Sequence, residues 1–196
     1  MFRRIVALLT HPTDQVPAAT PDVLAPPRQR LERRRRERGG ADIIRAYLQR
    51  HDVRGLQLGT GSHPLEGWLN GDPAPASPDV LCIDVKKPLP FADETLHVIF
   101  SDHLFEHLTA ADAAFHLQEC FRTLRPEGRI RITSGESQSP GGALEAAGFE
   151  QMTECRVGMS DEPWLQNVEH EGRNRAPYTR RTIVLEALKP PRYRPA

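Results

Sequence analysis

Short apolar runs alternate with amphipathic segments along most of the chain after Val53. Short apolar runs predict strands, and apolar residues three or four positions apart predict helices. The predicted strands are 55–58, 68–70, 80–83, 96–100, 129–132, 149–157 and 182–187, and the predicted helices are 110–124 and 142–147. Because such alternation needs crossover connections, it predicts an α/β fold with a mostly parallel sheet and helices on its faces. The last two strands lack a helix between them and are expected to pair antiparallel, with the last strand reversed.

The amino-terminal region has a different pattern. Residues 11–27 contain five prolines and no period, and residues 28–38 read RQRLERRRRER, with helical propensity but one large apolar residue. Gly39-Gly40 is expected to break the chain before an amphipathic helix that begins near Ile43. The sequence therefore predicts a flexible Pro/Arg-rich arm at 1–40, one domain at 41–190 and a tail at 191–196.

Composition and charge exclude several classes of protein. The 196 residues are 38% hydrophobic and 27% charged, which is typical of a globular domain. Basic and acidic residues balance at 26 each, although residues 1–54 carry 12 basic and six acidic side chains. No apolar run approaches the ~20 residues of a membrane-spanning helix, and 5–9 is too short for a secretory signal, so a cytoplasmic location is expected. The three cysteines form no C-x-x-C pair, which argues against a disulfide framework or a thiolate zinc site.

The first candidate ligand-binding residues are Gly59-Thr60-Gly61, where the first predicted strand ends. Ligands of open parallel sheets bind beyond the carboxyl ends of the strands, and glycines let the backbone approach them closely. A nicotinamide dinucleotide site would need Gly or Ala three residues after Gly61, where this chain has Pro64. The turn therefore favours a ligand that needs no diphosphate cradle.

Two aspartates follow the next two predicted strands and are expected at the same edge. An acid in the place of Asp72 can accept hydrogen bonds from both hydroxyls of a ribose, and one in the place of Asp84 can reach an adenine amine. The alternative is that each aspartate starts a turn. Together with the glycine turn, the pair favours a nucleoside ligand that carries a carboxylate.

Four segments in order resemble the class I S-adenosylmethionine-dependent methyltransferases, in a compact bacterial, methyltransferase-11-like branch. These segments are LQLGTGSHPLEGWLNGD at 56–72, DVKKPLPF at 84–91, FSDHLFEHL at 100–108 and LRPEG at 124–128. The resemblance covers roughly 53–190 and implies a Rossmann-like, seven-stranded, mostly parallel sheet with the last strand antiparallel and helices on both faces. It also implies S-adenosylmethionine as the cofactor, bound at Gly59, Thr60, Gly61, Asp72, Asp84, Val85 and Ser101.

The resemblance implies a role for several of these residues. The two glycines would flank the methionine part of the cofactor, Asp72 would hold the ribose, and Ser101 would offer backbone to the amine. Three positions depart from the family pattern: Thr60 stands where cysteine is frequent, His97 where aspartate opens the fourth strand, and Glu127 where a second glycine is usual.

The segment His103-Leu-Phe-Glu-His107 permits two interpretations. It satisfies the zinc-peptidase pattern H-x-x-E-H, but it follows a strand directly, so we expect no metal and consider a zinc hydrolase unlikely. By resemblance it lies beside the sulfonium of the cofactor. There His103 is the candidate catalytic residue, either as a base for an acceptor hydroxyl or as a wall of the site.

The sequence thus predicts an enzyme, an S-adenosylmethionine-dependent methyltransferase acting on a small-molecule or glycan-type acceptor by in-line transfer. One alternative is an RNA- or protein-directed methyltransferase guided by 28–38, although nucleic acid is not indicated by the overall charge. Another is a non-catalytic cofactor-binding module, motivated by the short, Gly/Ser-rich stretch after Thr133. Trp164 and His170 are candidates for the wall of the acceptor site.

Overall fold

A computed structural model describes residues 27–135, 139–169 and 182–192, with side chains from Gly39 onward. The chain divides into two compact units, Met1–Arg35 and Arg36–Ala196. The predictions for the proline-rich segment, for His170 and for the side chains of 28–38 lie outside the described residues. None of the helices within the described ranges has the length and apolar character needed to cross a membrane.

Seven strands form one sheet in the order β3-β2-β1-β4-β5-β7-β6. Neighbouring strands from β3 to β5 are parallel, and β7 is antiparallel to both β5 and β6. This confirms the predicted sheet and its reversed last strand. The strands are β1 (Gly55–Leu58), β2 (Leu69–Asp72), β3 (Leu81–Cys82), β4 (Leu96–Asp102), β5 (Leu124–Gly135), β6 (Glu150–Glu154) and β7 (Thr182–Leu188).

The first helix contradicts the expected break at Gly39-Gly40. One helix, α1, runs over Pro27–Arg50 and includes both glycines. A glycine costs only about 1 kcal/mol in a helix, and the arginines and glutamates around this pair favour helix. The apolar residues of the last two turns also hold the helix by packing against the core: Ile43, Ile44, Tyr47 and Leu48.

The other two helices lie close to their predicted positions. Helix α2 spans Ala110–Thr123, and the backbone N–H of Asp112 donates to Thr109 Oγ1 at 3.2 Å as the expected amino-terminal cap. Helix α3 spans Gly141–Ala146. At the end of α2, Lys189 Nζ donates to the carbonyl oxygens of Phe121 and Leu124 at 2.8 and 2.7 Å, which satisfies acceptors that the helix leaves open.

The two faces of the sheet have different chemistry, because side chains alternate along each strand. One face is apolar and packs against all three helices in a single core that includes Leu56, Ile99, Ile130, Leu117 and Leu144. On the other face, the side chain of Arg131 is fully buried and pairs with Glu169 and with Glu186. The segment 156–169, with a 3₁₀ helix at Pro163–Leu165, covers this polar face. All three α-helices therefore pack against the apolar face, and a segment with one 3₁₀ turn covers the other face.

Helix α2 also buries a titratable side chain that should make folding sensitive to acid. His116 is fully buried beside Cys120, with Nε2 3.7 Å from Sγ, and burial lowers its pKa to about 4. In the unfolded chain the pKa of histidine is about 6.5. Between these values the unfolded state binds a proton that the folded state does not, so the free energy of unfolding decreases as pH falls from 6.5 toward 4.

We expect His116 to remove about 2 kcal/mol of stability between pH 7 and pH 5. Urea unfolding at the two pH values measures this loss in the wild type. Between pH 7 and pH 5, the free energy of unfolding of His116→Leu should fall by about 2 kcal/mol less than that of the wild type. The matched control is His107→Gln, which replaces an exposed histidine. An equal pH dependence in wild type and His116→Leu would contradict the assignment.

Candidate cofactor and acceptor site

The turn after β1 is fixed to β2 by three hydrogen bonds. The N–H groups of Gly59 and Thr60 donate to the carbonyl oxygen of Gly71 at 3.0 and 3.3 Å, and Thr60 Oγ1 donates to the same oxygen at 3.2 Å. Gly59 has a φ of 75°, and a Cβ placed on it would lie 2.8 Å from the carbonyl oxygen of Asp102. Only glycine fits there, so the turn packs directly against the end of β4.

The second glycine of the turn faces the aspartate at the end of β2. The N–H of Gly61 donates to Asp72 Oδ2 at 2.8 Å, and the N–H of Ala74 donates to Oδ1 at 2.8 Å. The carboxylate is partly exposed, and each oxygen keeps a lone pair for another donor. A Cβ placed on Gly61 would meet no atom within 4 Å. The turn and the carboxylate therefore border one open space.

A short loop, residues 62–68, replaces a helix between β1 and β2, and buried polar side chains hold it. Gln57 Oε1 and Asn70 Oδ1 both accept from the N–H of Leu65, at 3.0 and 2.9 Å. Tyr47 Oη accepts from the N–H of Gly55 at 2.9 Å and donates to the carbonyl oxygen of Gly67 at 3.1 Å. Sequence reasoning missed these three residues, although a polar residue inside a short apolar strand is a signal for Gln57 and Asn70.

Asp84 follows β3 and makes a local turn. Its Oδ1 accepts from the N–H of Lys86 at 3.1 Å, and its Oδ2 lies 3.0 Å from Lys87 Nζ. Burial alone would raise the pKa of Asp84, but the hydrogen bonds from Lys87 and Lys86 lower it on balance. The neighbouring Val85 is buried in the apolar core. The carboxylate thus starts a turn, which was one of its two interpretations.

Ser101 is a buried polar residue at the carboxyl end of β4. It pairs with Leu58, one residue before the glycine turn. The side chain is fully buried, and its hydroxyl has no hydrogen-bond partner among the residues that the structure describes. Most buried hydroxyls are satisfied, so an unsatisfied one next to an open turn fits a site that is completed by a ligand.

His103 lies at the same edge, two residues further on. Its backbone N–H donates to Thr133 at the end of β5, and its Nδ1 is 3.3 Å from Glu106 Oε1. Glu106 and His107 belong to a 3₁₀ turn, Phe105–His107, and the side chain of His107 is exposed. In the described ranges, no group of three or more His, Cys, Asp and Glu side chains is placed to hold a metal ion.

Two departures from the family pattern have structural explanations. His97 Nδ1 accepts from the backbone N–H of Arg54 at 3.3 Å, so the imidazole supplies the acceptor that an aspartate would supply. Burial, followed by the nearby charges of Arg125 and Arg54, lowers the pKa of His97 and keeps this nitrogen able to accept. Glu127 has a φ of 64°, in the left-handed region that glycine adopts most easily. This conformation explains why glycine is usual at the position that Glu127 occupies here.

Trp164 does not lie where the acceptor wall was expected. The residue is 43% exposed. It lies two residues after Glu162, whose Oε2 is 3.9 Å from Arg129 Nε, and this contact locates the segment on the sheet. Arg129 pairs with Val98, well before the carboxyl end of β4. The segment after β6 therefore crosses the polar face of the sheet toward its other end.

Comparison with known proteins gives one family. Residues 42–132 match the methyltransferase domain family. The matched region includes the glycine turn, Asp72, Asp84 and the β4 edge. No curated protein gives a significant match to this chain.

Several solved methyltransferase structures resemble the fold. A protein from Thermotoga maritima is 15% identical, with 83% of this chain and 96% of that chain covered and a TM-score of 0.49. One from Archaeoglobus fulgidus is 18% identical, with coverages of 79% and 94% and a TM-score of 0.49. A complex between the Haloferax volcanii Trm112 methyltransferase activator and a methyltransferase gives 18% identity, coverages of 81% and 92% and a TM-score of 0.47.

The fold and the family match agree with the resemblance: residues 42–132, a little under half of the chain, match a methyltransferase domain. S-adenosylmethionine is the cofactor that the family implies. Three features of the described residues fit such a group. They are the open space beside Gly61, the lone pairs that the Asp72 carboxylate keeps for further donors, and the unsatisfied hydroxyl of Ser101.

A pair of glycine substitutions tests where the cofactor lies. Gly61 and Gly67 have φ values of 55° and 75°, and a Cβ on either would meet nothing within 4 Å. Alanine at either position should therefore lower the free energy of unfolding by about 1–2 kcal/mol through backbone strain. We expect Gly61→Ala to weaken S-adenosylmethionine binding at least about tenfold, and Gly67→Ala to leave it unchanged. Calorimetric titration measures both, and equal affinities would contradict the placement.

Proposed function

We propose that this chain is a methyltransferase that binds S-adenosylmethionine at the carboxyl edge of β1, β2 and β4 and methylates a small-molecule or glycan-type acceptor. The observation that carries the proposal is the 2.8 Å hydrogen bond from Gly61 to Asp72, since it brings the turn and the carboxylate to one open space. The cofactor supplies an activated methyl group on a sulfonium.

The residues of the turn would bind the cofactor in different ways. Gly59 and Gly61 flank its methionine part, and Asp72 accepts from the ribose hydroxyls with its remaining lone pairs. The hydroxyl of Thr60 is used within the protein, so this residue contributes through its backbone. Ser101 receives the amine through backbone, and its buried hydroxyl is a further donor and acceptor. Asp84 and Val85 border the adenine.

Positioning supplies most of the catalysis in this proposal. An in-line displacement needs the acceptor atom held near 3 Å from the methyl carbon, and alignment and exclusion of water lower the barrier. His103, at the end of β4, is the candidate base for an acceptor hydroxyl.

The packing of the described residues after β5 against the sheet supports the small-acceptor proposal. Residues 139–169 pack as α3, β6 and the cover of the polar face, so this stretch forms no lobe of its own. The methyltransferase domain proposed at 41–190 lies within the second compact unit, and 1–40 and 191–196 are its proposed arm and tail. The cytoplasmic location stays a prediction.

A second candidate function is methylation of RNA or protein. The excess of basic residues in 1–54, concentrated at 28–38, is the observation that favours it. A third is a module that binds the cofactor without turnover.

Formation of S-adenosylhomocysteine from S-adenosylmethionine separates the three functions. The full chain is incubated with a pool of monosaccharides and small hydroxylated compounds, with total RNA, and with a cell protein extract. We expect product with the first pool. Product with RNA alone, lost steeply as salt rises, would replace the proposal with the RNA-directed function. Saturable cofactor binding without product in any pool would favour the binding module.

A further inference from the structure

A small apolar cluster joins the loop after the glycine turn to the segment that covers the polar face. Its members are Leu65, Phe100 and Val168, with Trp68 packed against them. Leu65 and Val168 are 2% and 5% exposed, and Phe100 is fully buried. Because Phe100 pairs in register with Arg131, the cluster lies on the same face of the sheet as the buried ions. The loop 62–68 and the segment 156–169 therefore meet on that face.

The buried ion pair holds Val168 in place. The next residue is Glu169, whose side chain pairs with Arg131 and whose Oε2 accepts from the N–H of Gly158 at 3.0 Å. Both side chains of this pair are fully buried. The contacts tie the end of the segment 156–169 to its beginning and to β5, so they fix the position of Val168 over the sheet.

Hydrogen bonds connect Leu65 to the glycine turn. The N–H of Leu65 donates to Gln57 Oε1 at 3.0 Å, and Gln57 Nε2 donates to the carbonyl oxygen of His63 at 3.3 Å. The N–H of His63 donates to the carbonyl oxygen of Thr60 at 3.0 Å. A displacement of Leu65 would therefore reach the backbone of Thr60 and Gly61, which the proposed site uses for the methionine part of the cofactor.

The end of the loop packs directly on β1. A Cβ placed on Gly55 would lie 2.6 Å from the indole ring of Trp68, so the ring lies against the backbone of the strand. Trp68 is one of two tryptophans in the chain. Since it also packs against the apolar cluster, its fluorescence reports on how well the loop is held.

We propose that Val168 is a positioning residue for the cofactor. It packs in the cluster with Leu65 and so holds the loop 62–68 and the glycine turn in the geometry that receives the methionine part. This role rests on the proposed function, because that function places the cofactor at the turn. The pair of Arg131 and Glu169 fixes Val168, so the buried ions act on the cofactor site through this side chain.

Calorimetric titration with S-adenosylmethionine and with 5′-methylthioadenosine, which lacks the amino acid part, tests the proposal. Val168→Ala should raise the dissociation constant of S-adenosylmethionine about 3- to 10-fold and leave that of 5′-methylthioadenosine unchanged. Val80→Ala truncates a valine before β3 that is 6% exposed, and as the matched control it should change neither. Unchanged affinity for S-adenosylmethionine in Val168→Ala would overturn the proposal. Equal losses for the two ligands, or equal losses in the two variants, would also overturn it.

A double variant tests the route through Leu65. If Val168 acts through this residue, Val168→Ala should weaken S-adenosylmethionine binding no further once Leu65→Ala is present, because coupled side chains give non-additive effects. Additive losses in the double variant would show that Val168 acts independently of Leu65 and would overturn the proposed route.

Acrylamide quenching of Trp68 tests the support of the loop without any ligand. In a Trp164→Phe background the remaining tryptophan is Trp68. Quenching should increase in Val168→Ala and stay the same in Val80→Ala. Unchanged quenching in Val168→Ala would overturn the role of Val168 in the loop. If the wild type binds no S-adenosylmethionine, the proposed cofactor site is wrong whatever the quenching shows, so the two failures are distinguishable.

Discussion

Replacing Arg131 by Met should reduce the free energy of unfolding by about 3–5 kcal/mol. The guanidinium is fully buried and is the charge partner of two carboxylates, those of Glu169 and Glu186. Burial alone would lower the pKa of Arg131, but hydrogen bonds and the charges of these two glutamates raise it, so the group stays charged. Removing it leaves two buried carboxylates facing each other without a cation.

The same substitution should also release the cover of the polar face. Arg131 donates to the carbonyl oxygens of Met159 and Arg156 at 3.0 and 3.2 Å, and Glu169 Oε2 accepts from the N–H of Gly158 at 3.0 Å. The Arg131 bonds join β5 to the segment 156–169, and the Glu169 bond to Gly158 holds that segment together. We therefore expect faster amide exchange in that segment as well as lower stability.

Urea unfolding of Arg131→Met and Arg129→Met measures the effect against a matched control. Arg129 lies two residues earlier on the same face of β5, but its side chain is 31% exposed and its contact to Glu162 is 3.9 Å. An exposed ion pair contributes about 0–1 kcal/mol, so Arg129→Met should be nearly neutral. Equal losses in the two variants would contradict the assigned role of the buried network. The triple variant Arg131→Met, Glu169→Gln, Glu186→Gln should recover part of the loss, because it removes the unpaired charges.

The second large effect is expected at Asp72. Asp72→Ala should weaken S-adenosylmethionine binding by about 100-fold or more, because hydrogen bonds to a charged group contribute about 1.5–3 kcal/mol each and the proposed site has two to the ribose. The substitution also removes the acceptor of the Gly61 N–H. The fold should survive, since the carboxylate is partly exposed and lies at the end of a strand.

Calorimetric titration of three variants beside the wild type tests this prediction. Asp72→Asn keeps one carbonyl acceptor and should bind with intermediate affinity. Asp79→Ala removes an exposed aspartate from the loop between β2 and β3 and should match the wild type. A dissociation constant for Asp72→Ala within about threefold of the wild-type value would remove Asp72 from the site.

The order of elements and the sheet could be predicted from the sequence because strands such as β1, β3, β4 and β7 coincide with short apolar runs bounded by turn residues. Helix α2 was predictable for the same local reason, since Thr109, Asp112 and Pro126 mark its ends. The facing of Gly61 and Asp72 also followed from pattern alone, because the carboxyl ends of parallel strands meet at one edge.

Contacts between distant residues could not be predicted in this way. The pattern Arg129-Ile-Arg-Ile132 indicates a strand with one apolar face, but nothing near it shows that Arg131 is buried with glutamates 38 and 55 residues away. The expected position of Trp164 differs from the observed one for the same reason. The sequence indicates the end of the strand from which a segment leaves, but not the face of the sheet that the segment crosses. At Gly39-Gly40, tertiary packing of the following turns outweighs a local preference.

The most direct test of the account is titration of the wild-type protein with S-adenosylmethionine, S-adenosylhomocysteine and NAD. A glycine turn joined to the Asp72 carboxylate should bind one equivalent of each of the first two ligands and none of the dinucleotide, whose diphosphate finds no cradle at Pro64. Saturable binding of NAD, or no binding of either sulfur nucleoside, would contradict the account.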